Sequence, residues 1–413
     1  MASSYEHMML FMRHIGFQQF SLQTTSIEAL VRQDLLFAHP KASHLSRRFY
    51  EITGVEPRDY MELAFALTGV TRKEPSPLWI GRATFRPIQR GLSEGALEGF
   101  LAHLSKSIPE MNAWLGCQGF KNVSVADQRI LPTPFLQAPL LRTNEDQYFV
   151  IFPTLLLQSL ESVIYRTLRS DAPIEFGGRF GPLFEDYARR CLVDSGLLHL
   201  NESQLKERLP FGSKCVDFLI SHEECDVLID AKGVEMSRLG RLSQRADLVL
   251  QAVKASAVKA IEQANATVLN LTVSSPSTCI PSAGRESFLV VVTFDDLYLG
   301  GNSMFGEVFG THLISRLERD FGTPLPIPFE NMFFISIDEF ERLLGYARES
   351  VEKLVELLRY ARVQEEEPRT RKFKFQQHLD SFPVLGEALP MLQAGLDDLK
   401  ARCLHRAKLG DVE

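Results

Sequence analysis

The chain has 413 residues, of which 45% are apolar and 23% charged, with 21 Pro and 26 Gly. These proportions exclude collagen-like repeats, low-complexity scaffolds and wholesale disorder, and the length fits two or three domains. Lys plus Arg number 45 against 52 Asp plus Glu, a formal charge of -7, so any contact with nucleic acid needs a local basic patch rather than bulk charge.

Residues 1 to about 70 read as helical, with apolar periodicity around Ile27 to Val31 and Tyr60 to Leu67. Thr71-Arg-Lys-Glu-Pro-Ser-Pro77 is a polar connector. A helical pattern recurs at Leu92 to Leu104. The run Leu131-Pro-Thr-Pro-Phe-Leu-Gln-Ala-Pro139 holds three prolines and predicts a domain boundary near 130 to 145. Tyr148 to Phe152 reads as a strand, Leu155 to Leu168 as a helix, and Gly177-Gly178-Arg179-Phe180-Gly181-Pro182 as a turn into a second helix from Leu183 to Val193. Val216 to Ser221 and Asp226 to Ala231 read as a hairpin across His222-Glu223-Glu224. A helical pattern from Met236 to Ala264 follows, then strands at Thr267 to Val273 and Phe288 to Phe294. Ile337 to Arg362 reads as one charged helix, Glu365 to Lys374 as a connector, and the rest as helix to about Ala407. The middle is α/β and both flanks are mostly α.

The six cysteines (Cys117, Cys191, Cys215, Cys225, Cys279 and Cys403) form no C-x-x-C pair and read as scattered reduced thiols. Apolar runs are too short to span a bilayer, and the N-terminus lacks the basic region of a secretory signal. No membrane association and a cytoplasmic location are expected. No Walker-type phosphate loop and no paired-histidine metal motif is present.

One constellation carries chemistry. Asp217 opens the strand Val216-Asp-Phe-Leu-Ile220, and Asp230 and Lys232 close Val227-Leu-Ile-Asp-Ala-Lys232. Residues two apart on a strand share a face, so Asp230 and Lys232 point together, and a hairpin brings Asp217 beside them. Glu185 lies on the preceding helix with Ala188 and Leu192 on its face, while Asp186, Arg189 and Arg190 are expected on the solvent side. Carboxylates of this kind supply hard oxygen ligands for Mg²⁺, and a neighbouring lysine positions water and offsets phosphate charge.

This order, a helical Glu185, then V-D-F-L-I, then I-D-A-K, resembles the PD-(D/E)xK nuclease superfamily, the restriction-endonuclease-like proteins. The resemblance covers about residues 135 to 300; Val216 stands where the proline of the motif belongs. It implies an α-β-β-β-α-β core, with Glu185, Asp217 and Asp230 as metal ligands, Lys232 beside the attacking water, and Gln263 matching a polar residue that some branches carry on the following helix. Mg²⁺ is the implied metal, with Mn²⁺ as substitute. Pro139 to Arg142 and Gly181 to Tyr187 resemble the lead-in of some nuclease-like bacterial proteins.

From Lys232 to Lys259 there are six basic residues (Lys232, Arg238, Arg241, Arg245, Lys254, Lys259) and two acidic ones (Glu235, Asp247). Arg238, Arg241 and Arg245 recur at helical spacing and are the expected phosphate contacts. The fold class expected is thus α/β: a restriction-endonuclease-like core at 136–330, an α-rich recognition or partner-binding region at 1–135 and a helical region at 331–413. The expected activity is a metal-dependent nuclease, a DNA endonuclease favoured over an RNA one, with a role in defence against foreign DNA and with the α-rich flanks contacting a protein partner or a second copy. The alternative is a non-catalytic nucleic-acid-binding or regulatory protein on the same fold, its charges forming structural ion pairs.

Overall fold

The computed structural model describes residues 4–19, 25–73, 79–117, 124, 131–223, 225–274, 285–382 and 387–410. Residues 74 to 77 of the expected connector, Glu224 of the hairpin turn and Cys279 lie outside them. The chain divides into two compact units, Gln18–Leu183 with Met391–Glu413, and Met1–Phe17 with Phe184–Pro390. Among the described residues no helix is long and apolar enough to cross a membrane, and the five described cysteines are free.

In the first of these units, helices Ile27–Phe37, Ser43–Thr53, Pro57–Lys73 and Ala96–Leu104 accompany a small mixed sheet. Its strands are β1 (Trp79–Gly81), β2 (Ser105–Lys106), β3 (Leu140–Arg142) and β4 (Gln147–Val150), in the order β1-β4-β3-β2. The C-terminal helix Pro390–Gly410 is tied in by charge. Glu62, 1% exposed, receives Arg402 at 3.0 Å on one oxygen and Arg406 on the other. Arg406 also reaches Asp59 at 2.7 Å, and Arg402 reaches Asp34. A buried carboxylate is tolerable only when paired this fully.

The second unit is built on a five-stranded sheet, β5 (Leu200–Asn201), β6 (Phe218–Ser221), β7 (Cys225–Lys232), β8 (Glu286–Thr293) and β9 (Met332–Ser336), neighbours in chain order. The pairs β5–β6 and β6–β7 are antiparallel; β7–β8 and β8–β9 are parallel. β7 and β8 are buried along nearly their whole length, which is why they read as continuous Val, Ile, Leu and Phe rather than alternating. Helix Pro173–Asp194 leads in, and helix Lys259–Ser274 is the crossover between β7 and β8 that a parallel pair requires.

Several expected elements differ. Gly177 to Pro182 is not a turn but the middle of helix Pro173–Asp194. Phe176 and Phe180, one helical turn apart, hold Tyr165 at 5.1 and 4.9 Å, and that aromatic packing outweighs the glycines and the one bond lost at Pro182. Leu155 to Leu168 is two helices, Pro153–Glu161 and Val163–Asp171, meeting at Ser162. The stretch Met236 to Ala264 is broken into Arg238–Leu242, Ala246–Ala252, a wide turn at Lys254–Val258 and the start of Lys259–Ser274. Thr267 to Val273 is helix, not strand: Ile261, Ala264, Thr267 and Leu271 are buried at helical spacing, and that period overrides the β-branched composition. Ile337 to Arg362 splits into Ile337–Tyr346 and Val351–Glu366, because Ser350 caps the second by accepting from Lys353 N–H and Glu349 turns with φ +60°.

The crossover helix fixes the chain just ahead of β6. Thr267 Oγ1 accepts from Val216 N–H at 3.2 Å while donating to Gln263 carbonyl oxygen at 2.7 Å. Gln263 Nε2 donates to Cys215 carbonyl oxygen at 2.8 Å. Thr267→Val keeps shape but orphans the buried Val216 N–H, so a loss of about 1–3 kcal/mol is expected in denaturant unfolding. Unchanged stability in that variant contradicts this anchoring.

Candidate active site

The β6–β7 register is what brings the acids together. Phe218 pairs with Ile229 and Leu219 with Leu228; continuing the register by one residue sets Asp217 opposite Asp230. Opposite residues of an antiparallel pair share a face, with Cβ atoms about 4.5–5.5 Å apart. Asp217, just before β6, replaces the missing ladder carbonyl: its Oδ2 accepts from Ala231 N–H at 2.7 Å. Asp230 is completely buried. Lys232, two positions on along the same face, donates to Asp230 Oδ1 at 2.5 Å and to Gln263 Oε1 at 3.4 Å. Gln263 is in turn held by the Cys215 carbonyl.

Four of the five expected residues, Asp217, Asp230, Lys232 and Gln263, therefore form one connected group. Glu185 stands beside it, half-buried on helix Pro173–Asp194. Its carboxyl is pushed up first by burial and then by the charge of Asp217, with Lys232 opposing. Asp230 is pushed well above the carboxylate range, again first by burial, then by Asp217 both as a charge and as a hydrogen-bonding neighbour, against the pull of Lys232.

The residues fit a hard divalent cation on one observation above all. Asp230 Oδ2 is buried and receives no hydrogen bond from a donor group, an expensive state for an ionised carboxylate oxygen, and its neighbour Asp217 is a second carboxylate that bonds it only by sharing a proton. Among the described residues no three acid, His or Cys side chains close into a metal cage. Mg²⁺ does not demand one, since it takes one or two carboxylates and completes its shell with waters and phosphate oxygens. Asp217 and Asp230 could supply such a pair, with Glu185 adjacent.

Other expectations are corrected. Asp186 is not on the solvent side: it is 6% exposed and held by Arg189 at 3.1 Å and Arg190 at 3.5 Å. The three arginines do not share one helix face. Arg238 is exposed on the short helix Arg238–Leu242. Arg241 is buried, its guanidinium 4.6 Å from the Phe17 ring centre and its Nε donating to Met236 carbonyl oxygen. Arg245 lies beyond that helix, immediately before the next, and pairs with Asp247 at 2.6 Å. Sequence reading also missed Glu202 and Lys206, whose charges reach Glu185. No signal in the sequence gives this, because it takes the pairing of Asn201 with Phe218 to bring Glu202 to the end of β6 where Asp217 lies.

No protein-family model, no curated protein and no solved structure matches this chain.

The facing carboxylates predict an unusual pH dependence. An acid whose carboxyl is raised by the fold favours folding fully below its ordinary value of 3.8 and progressively less as pH rises through the raised one. In EDTA, Asp230→Asn should therefore melt above wild type at pH 8, by about 2–4 °C for each kcal/mol of repulsion relieved. The gap should close as pH falls toward 4. Thermal melts across that range check it; a wild type that outlasts the variant at pH 8 contradicts the repulsion.

Proposed function

We propose that the protein is a metal-dependent nuclease that hydrolyses phosphodiester bonds, DNA being the favoured substrate, on a PD-(D/E)xK-like core. The observation that carries this reading is the facing pair Asp217 and Asp230, with Lys232 bound to one Asp230 oxygen and the other oxygen buried without a donor. Topology supports it as well. Setting aside short helices, Pro173–Asp194, β5, β6, β7, Lys259–Ser274 and β8 follow the α-β-β-β-α-β order that the resemblance implies.

Asp217 and Asp230 would hold Mg²⁺, or Mn²⁺ in its place, with Glu185 as the third acid. When bound, the metal acidifies water and neutralises charge developing on the phosphoryl and leaving oxygens. Lys232 does the remaining work of orientation. Asp230 and Gln263 each take one of its N–H donors, which fixes the ammonium and leaves one of three donors for the attacking water. Gln263, tied to the Cys215 carbonyl, prevents Lys232 from swinging away. A role in defence against foreign DNA rests on the resemblance alone.

Supercoiled plasmid and structured RNA, each incubated with Mg²⁺, Mn²⁺ or EDTA, test the reading. Cleavage should require metal and be faster on DNA. Lys232→Ala and Asp230→Asn should remain folded by circular dichroism and lose about 10²–10⁴-fold in rate. Cleavage by folded Lys232→Ala at the wild-type rate contradicts the mechanism.

A further inference from the structure

We propose that Lys206 is the second cation of this site, contacting a phosphate of the substrate strand next to the scissile one, and that Glu202 is the positioning residue that holds it there. The inference rests on the nuclease reading above and extends it to substrate binding.

Helix Glu202–Lys206 is five residues long and rigidly started. Asn201 Oδ1 accepts from Gln204 N–H at 3.0 Å, Gln204 Oε1 accepts from Asn201 N–H at 2.9 Å, and Leu205 is fully buried beneath. One turn apart on its outer side, Lys206 Nζ meets Glu202 Oε1 at 2.6 Å, with the two side chains 53% and 39% exposed. An exposed pair of this kind adds little to stability. Its location is what distinguishes it. Asn201 pairs with Phe218, so Glu202, the next residue, and Asp217, the one before Phe218, leave the sheet at the same end of that pair, and continuing the β6–β7 register sets Asp217 opposite Asp230. Glu185 senses Glu202, Lys206, Asp217 and Lys232 together.

Four carboxylates thus meet two lysines, and a polyanion must approach them. Lys232 cannot serve the flanking phosphates: it is largely buried and spends two of its donors on Asp230 and Gln263. Lys206 is exposed, spends one donor on Glu202, and has two left for phosphate oxygens. Because Glu202 is the first residue after the Asn201 cap, its bond to Lys206 holds the ammonium one turn from that fixed point instead of leaving it to sweep solvent.

The test is equilibrium binding of a short fluorescent DNA duplex in EDTA, as a function of salt, by the full-length wild type, Lys206→Met, Lys206→Arg and Glu202→Gln. Lys206→Met should bind roughly tenfold more weakly at low salt, the loss of one charge-assisted contact, and its plot of log K against log salt should be shallower by about one phosphate contact. Lys206→Arg should bind like wild type, and Glu202→Gln should fall between. In Mg²⁺ the Lys206→Met change should appear in KM with kcat nearly unchanged. A Lys206→Met protein matching wild type in affinity and salt slope overturns this inference while leaving the nuclease reading in place. A wild type with no salt-dependent DNA binding and no cleavage overturns both.

Discussion

Two carboxylates set opposite each other across one antiparallel register are the constraint on which the rest of the second unit turns. Asp217 and Asp230 meet because β6 and β7 are joined by a tight turn, closed by His222 N–H on the Cys225 carbonyl at 2.9 Å, which leaves no freedom to slip. A one-residue shift would send every side chain of β7 to the other face. Like charges placed directly opposite are unfavourable, and here one of them is fully buried. The surroundings explain why the arrangement persists. Burial of Val227, Leu228 and Ile229 holds β7 in the sheet, Ala231 N–H bonds Asp217, and Lys232 bonds Asp230. The stability of the sheet carries the strain of the site.

The crossover helix makes the same point from the other side. Through Thr267 and Gln263 it binds the backbone of Val216 and Cys215, the two residues ahead of Asp217. Gln263 also reaches Lys232, so one side chain touches both the lead-in to Asp217 and the lysine at the end of β7. The helix is needed by topology, since β7 and β8 are parallel, and the site uses a connection that the fold already requires.

The central hairpin and its charges were legible in the sequence because a strand's period of two is strict. Alternation alone aligns Asp230 with Lys232, and a short polar turn implies the pairing that adds Asp217. Legibility failed where two periods competed or where the partner is distant in sequence. Thr267 to Val273 has strand composition, yet the buried positions Ala264, Thr267 and Leu271 follow a helix. Gly177 to Pro182 has turn composition, yet Phe176 and Phe180 pack as neighbouring turns of a helix. The Arg238, Arg241 and Arg245 spacing implied one stripe, but Ser243 accepts from Arg245 N–H and ends the helix between them. Glu202 was invisible because its neighbour Asp217 is known only once β5 is seen to pair with β6. Glu62, likewise, reads as an ordinary helix acid until Arg402 and Arg406 arrive from the far end of the chain.

The central claim is that the Asp217–Asp230 pair is a cation site, and the free-ion signal of Mn²⁺ in electron paramagnetic resonance measures that directly. Titrated into metal-free protein, Mn²⁺ should lose its free signal to wild type and, undiminished or more tightly, to Lys232→Ala, from which a nearby positive charge has been removed. Asp217→Asn and Asp230→Asn, each short of one negative ligand, should bind at least about tenfold more weakly. Equal binding by wild type and Asp230→Asn, or no binding by wild type, would contradict the account.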